Sequence, residues 1–120
     1  IKYYSTAEIF RGFWGGNQKQ TDKLYDLALE SKSGFPNLYL PYYMIGYRAS
    51  QQNEYELAET NYVKCLTLQP TFPEVHRELG LLYLNNKKCL LGKQHVKLYL
   101  QSANAVTDYE VVDKAIKKCN

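Results

Sequence analysis

An all-α fold of stacked antiparallel helix hairpins is what this sequence predicts, and three observations carry the prediction. The stretch Tyr39 to Pro70 reads as two short helices joined at a turn and ended by a proline. Much of its pattern returns thirty-four residues later, with Gly46 as Gly80, Ile45 as Leu79, Leu57 as Leu91, Leu66 as Leu100, and the small Ala58 as the smaller Gly92. Outside this stretch, Leu24, Leu27 and Ala28, and again Val111, Val112, Ala115, Ile116 and Cys119, recur at helical spacing. A fixed period of this size marks repeats, because a single helical hairpin leaves its apolar face uncovered until a neighbour packs on it.

Taken in order, residues 3–14 are helix-compatible, with Ser5 or Thr6 as N-cap, Glu8 near the reciprocal capping position, and Gly15 and Gly16 as the stop. Thr21 to Glu30 forms a second helix. The central hairpin places helices near 37–52 and 54–68, turning at Asn53, with the acidic residues Glu54 to Glu59 at the positive end of the second helix dipole. Gly46 lies inside a helix, where glycine costs about 1 kcal/mol relative to alanine. That cost implies a close approach of the two helices at Gly46 and Ala58. The third hairpin runs from about Pro73 to Asn85 and from Lys88 to Ser102, with Pro73 at a helix start and Thr71 as its cap. Thr107 to Cys119 then has a cap-like Thr107, Glu110 three residues on, one apolar face and basic residues elsewhere. It reads as a capping helix over the last repeat, which brings the predicted count to seven helices and no strand.

At these residues the sequence resembles the tetratricopeptide repeat (TPR) family, whose motif runs aromatic, two spaces, Leu-Gly, two spaces, Tyr, then Ala, three spaces, Phe, and a closing Pro. Tyr42, Ile45, Gly46 and Ala49 match the first helix of the motif, Ala58 and Tyr62 the second, Cys65 the small residue one turn on, and Pro70 the stop. His76, Leu79, Gly80 and Tyr83 match in the next copy, where Gly92, Val96 and Tyr99 are looser and Asn104 replaces the proline. The resemblance implies one domain, a right-handed superhelix of about three repeats: a degenerate first repeat over 1–35, a second over 36–70, a third over 71–104, and the capping helix over 105–120. Two registers compete for the first repeat. One aligns Gly12 with Gly46; the preferred one gives Tyr25 and Ala28 the aromatic and small positions of a second helix.

With 120 residues, 45% of them apolar, the chain is large enough for a packed core, and no stretch approaches a membrane span. No leader and no initiator Met opens it, so the chain is expected to begin at a processing site or at an internal boundary of a longer protein. Cys65, Cys89 and Cys119 are scattered and odd in number, a poor disulfide framework that favours a reducing (cytoplasmic) compartment and leaves an extracytoplasmic one open. Residues 1–60 hold six Lys or Arg against seven Asp or Glu, residues 61–120 nine against five, so the C-terminal half is basic. Lys87, Lys88, Lys93, Lys97, Lys114, Lys117 and Lys118 make that end either a solvated face or a dock for an acidic partner. Three arginines are too few for a nucleic-acid surface, and none is expected.

No Ser-His-Asp order with a nucleophile elbow, no GxxxxGK, no HExxH and no EF-hand loop occurs, so neither catalysis nor a cofactor is expected. His76 and His95, nineteen apart, offer no close ligand pair, and the chain is expected to bind no metal. Cys65 with His76 is conceivable as nucleophile and base, but Cys65 falls on the small buried position and His76 on the aromatic one; Cys89 and Cys119 read as small apolar fillers.

The resemblance implies that first helices line a concave groove in which a peptide or partner protein lies. On helix 37–52 the stripe Tyr42, Ile45, Gly46 and Ala49 is core, which leaves Tyr39, Tyr43, Met44 and Tyr47 on other faces, side chains suited to adaptable contact. Arg77, Glu78, Leu81 and Leu84 take the corresponding places in the next repeat, and Phe10, Phe13 and Trp14 in the first. The expected function is a non-catalytic adaptor, scaffold or chaperone-like subunit binding a protein or peptide in this aromatic groove. The alternative is an accessory domain of a longer enzyme or secretion-machinery protein, its groove filled by the same chain or by a second copy in a homo-oligomer. Chaperone-binding members hold a C-terminal carboxylate with Lys, Asn and Arg. Here Tyr43, Met44 and Tyr47 stand among those places and only Arg77 is cationic, so a carboxylate clamp is not expected.

Overall fold

In a computed structural model, residues 18–102 and 108–119 are described, and all regular structure in them is helical. The elements are α1 (Gln18–Gly34), α2 (Tyr39–Gln51), α3 (Tyr55–Leu68), α4 (Pro73–Asn85), α5 (Cys89–Leu100) and α6 (Tyr109–Cys119). The helix expected over 3–14, with Phe10, Phe13 and Trp14, lies outside the described residues, as do Asn104 and Thr107. The chain divides into two compact units, residues 1–69 and residues 70–120.

In the first unit α1 packs on α2, and α2 on α3. Tyr42, Ile45 and Ala49 from α2 meet Ala58, Tyr62 and Cys65 from α3, all buried. Tyr42 ties the three helices together. Its hydroxyl donates to the Pro36 carbonyl at 2.6 Å, while Lys32 of α1 and Lys64 of α3 place their ammonium groups 5.5 and 5.9 Å from its ring centroid. The Arg48 guanidinium lies 4.5 Å from the centre of the Tyr25 ring, a second tie between α1 and α2, and Ala28 is buried.

Both hairpin turns have the same backbone. Asn53 (φ 60°) and Lys87 (φ 63°) are left-handed, thirty-four residues apart. The Glu54 amide donates to Ala49 and the Lys88 amide to Tyr83, both at 2.9 Å, while Asn53 and Lys87 donate to Ser50 and Leu84, both at 3.2 Å. This is the Schellman ending, which satisfies the last carbonyls of a helix and needs one residue at positive φ. Asparagine tolerates that conformation; lysine does so at a cost.

The nearest neighbour of Gly46 across the hairpin is Tyr62. A Cβ at Gly46 would fall 2.7 Å from Cδ1 of the buried Tyr62 ring, so the glycine makes room for an aromatic face. In the second unit the corresponding residues do bring backbones together. A Cβ at Gly80 would lie 3.1 Å from the Gly92 carbonyl oxygen, and one at Gly92 3.0 Å from that of Gly80. The difference follows from Gly92 replacing Ala58. Val75, Leu79, Tyr83 and Leu84 of α4 and Val96 and Tyr99 of α5 are buried here. The helix α6 packs on both α4 and α5, inserting Val112 into a cluster with Leu84, Val96 and Tyr99, flanked by Ala115 and Ile116. The N-cap of α4 is Phe72, without a side-chain cap bond, rather than Thr71, and Pro73 opens the helix.

Cys89 and Cys119 are not fillers. They form a disulfide, with Cα atoms 5.9 Å apart, joining the start of α5 to the end of α6. The odd count arises because one thiol, Cys65, stays free and buried.

Candidate functional site

The nine-residue run Tyr39–Tyr47 starts α2 with Pro41 in its first turn, where a missing N–H is tolerated. It then presents Tyr39, Tyr43 and Tyr47 at successive spacings of four, along one seam of the helix. The seam is not uniformly accessible. Tyr43 is 1% exposed and Met44 2%, which places both in the core rather than away from it; Tyr39 and Tyr47 are half-buried. The Tyr43 ring is 6.2 Å from the Tyr62 ring and 6.3 Å from Tyr47. A four-residue stripe is too narrow for a helix with neighbours on two sides, and α2 has α1 on one and α3 on the other. In the second unit Leu84 also belongs to the core, and Leu81 packs against it, half-buried.

Arg77 is engaged, not offered to a ligand. Its Nε donates to Asp108 Oδ2, its Nη2 to Asp108 Oδ1 at 3.3 Å, and its Nη1 to Glu78 Oε1 at 2.7 Å. The Tyr99 hydroxyl donates to Asp108 at 2.8 Å. Asp108 immediately precedes α6, so this network holds the start of the capping helix as the disulfide holds its end. The Arg77 hydrogen bonds keep the Asp108 carboxyl below its ordinary range, burial pushes Glu78 up, and burial with the Asp108 bond pushes Tyr99 to about 12. Arg77 stabilises its own unit, and a carboxylate clamp loses its one cation.

The histidines, by contrast, do form a pair. His76 Nδ1 and His95 Nδ1 are 3.0 Å apart with ring centroids at 5.3 Å, so the rings meet through their edges. His76 Nε2 lies 2.8 Å from the Pro70 carbonyl, which only accepts; Nε2 therefore carries the proton and Nδ1 accepts from His95. A second proton on the pair would set two N–H groups against each other. Burial, then the nearby His76, lowers the His95 pKa. The folded chain thus binds fewer protons than the unfolded chain just below the ordinary histidine pKa of 6.5. The contribution of His95 is fully present above that value and is lost as pH falls through the lowered one. Thermal melts should show Tm falling from pH 7 to pH 5, with a shallower fall for His95→Gln; an equal slope in the variant would assign the acid sensitivity elsewhere.

Among the described residues no group of three or more His, Cys, Asp or Glu is placed to hold a metal ion. Cys65 is fully buried, and burial raises its thiol to about 12, which leaves it protonated at neutral pH and a poor nucleophile. No described helix is long and apolar enough to cross a membrane.

Comparison with known proteins agrees with the hairpin geometry. The family described as TPR repeat matches residues 46–87, from the glycine of the central hairpin to the left-handed turn of the next. The anaphase-promoting complex subunit CDC16 of Saccharomyces cerevisiae (strain ATCC 204508 / S288c) is 27% identical over 113 residues, covering 83% of this chain. The chain spans only 13% of that protein's length. No solved structure matches. Repeated hairpins with superimposable turns, paired glycines and this match point the same way: over residues 46–87 the chain is similar to tetratricopeptide repeats, a type of protein–protein interaction module.

Proposed function

We propose that the chain is a non-catalytic module that binds a protein or peptide partner through the tyrosine seam of α2, acting as an adaptor or subunit of a larger assembly. The observation that carries this is the partial exposure of Tyr39 and Tyr47 on either side of the buried Tyr43. Two amphipathic rings are thereby held on a rigid base, a pre-organised contact with little entropy left to lose. Tyr43 and Met44 support that seam from beneath; Leu81 and Arg77 are the matching positions in the second unit. We assign α1 to a degenerate first repeat, with Tyr25 and Ala28 in its aromatic and small positions. That the relative is named as a complex subunit supports a protein partner. A second reading, an accessory domain of a longer protein whose own chain or second copy fills the groove, is favoured by the small share of that relative the chain covers.

A photo-crosslinking residue at position 47 should capture the partner, with position 117 as the control. For the captured partner, Tyr39→Ala with Tyr47→Ala should weaken binding by roughly tenfold to a thousandfold, while lowering Tm less than Tyr43→Ala does. Capture from position 117 alone would overturn the assignment, and capture only of this chain or its parent would select the second reading.

A further inference from the structure

At the far end of the second unit an open cleft of about 380 Å³ lies between the end of α4 and α6. Leu84 and Ala115 form its floor, Val111 its exposed apolar wall, and Lys87, Lys114 and Lys118 its rim. Among the described residues no carboxylate side chain lines it. Among the described residues none of the three lysines makes an ion pair, whereas the neighbouring Lys117 is bonded to Asp113 at 3.0 Å and Lys88 lies over the Tyr83 ring. Three like charges around one cleft repel, and the helix C-termini beside Lys87 and Lys118 offset only part of that.

The backbone points the same way. Lys87 stands at the left-handed turn position, φ 63°, where the preceding hairpin has Asn53. Glycine or asparagine would close the Schellman turn with less strain, so the turn itself gives no reason for a lysine. Strain held in a rim residue is a pointer to a ligand.

We propose that this cleft docks an acidic peptide segment of a partner protein, with carboxylates paired to Lys87, Lys114 and Lys118 and one apolar side chain lying against Val111 and Ala115. Charge complementarity selects the occupant: every charged side chain among the described lining residues is a lysine, and the apolar floor and wall favour a segment that carries an aliphatic or aromatic residue between its acids over a purely anionic chain. The cleft is independent of the tyrosine seam, so either site can fail without the other.

The test uses an array of fluorescein-labelled heptapeptides with glutamate or aspartate at most positions and one variable apolar position, beside arrays with the acids amidated. The full chain should bind members of the acidic array and none of the amidated one, more weakly as salt rises. Amide shifts of a ¹⁵N-labelled chain titrated with the best peptide should centre on Val111, Lys114 and Ala115. Lys114→Glu with Lys118→Glu should lose at least tenfold in affinity. Lys87→Asn should weaken binding severalfold while raising Tm, a combination that a merely structural lysine would not give. Equal binding by the parent and the charge-reversed variant, shifts centred on Tyr39 and Tyr47, or no binding by any acidic peptide would each overturn the proposal, and the crosslinking result at position 47 would stand in all three cases.

Discussion

Replacing Cys119 by serine is expected to remove about 3–4 kcal/mol of stability from the second unit, the chain-entropy value for closing a loop of this length. The disulfide spans 30 residues, from the start of α5 to the last residue of α6. What it holds would be weak without it. Only Val112 of the eleven residues of α6 is fully buried, and a side chain of that size contributes about 1.5–3 kcal/mol. Ordering the helix backbone opposes this by about 1–2 kcal/mol per residue. The cap therefore depends on its two fastenings, Cys89–Cys119 at one end and the Arg77–Asp108–Tyr99 network at the other. Thiol titration in denaturant should find one reactive cysteine, Cys65, before reduction and three after. Melts of the parent with a phosphine reductant should match those of Cys119→Ser without it. Three thiols before reduction, or a Tm indifferent to reductant, would show that the cap stands without the bond.

Gly80→Ala should cost roughly 1–3 kcal/mol or more through overpacking, and more than Gly46→Ala does. Both positions gain the same methyl group and the same helix propensity, so their difference isolates what the methyl meets. At Gly80 it falls 2.5 Å from Val96 Cγ1, 3.0 Å from the Val96 backbone nitrogen and 3.1 Å from the Gly92 carbonyl. The valine can turn; the α5 backbone has to retreat. At Gly46 the three nearest atoms all belong to the Tyr62 ring, at 2.7 to 3.2 Å. A ring can tilt, although burial on every side limits how far. Urea denaturation of the two variants gives the comparison. If Gly80→Ala proves as stable as the parent, propensity outweighs the clash and the backbones are not in contact as described.

Periodicity was enough to identify these helices, because both hairpins repeat a local instruction: an apolar face at spacings of three and four and a glycine where a neighbour approaches. Four of the helices fall where that pattern places them, within two residues at either end of the central hairpin and its successor. The turn at Asn53 was legible because asparagine favours positive φ; the one at Lys87 was not, because lysine does not. The candidate site was legible only in part. Tyr39 and Tyr47 keep exposed surface, but Tyr43, Met44 and Leu84 are core, since the width of a buried face depends on how many neighbours a helix has. Arg77 reads as a groove cation until Asp108, thirty-one residues away, is brought to its side chain. The same holds for His76 with His95 and for Cys89 with Cys119. Sequence alone determined the repeat and the positions of the helices from Tyr39 to Leu100, all of which arise from interactions within about one turn or one period. Tertiary structure decided which charges are paired, which thiols are joined and which rings are buried, because those depend on distant segments meeting and leave no local trace in either partner.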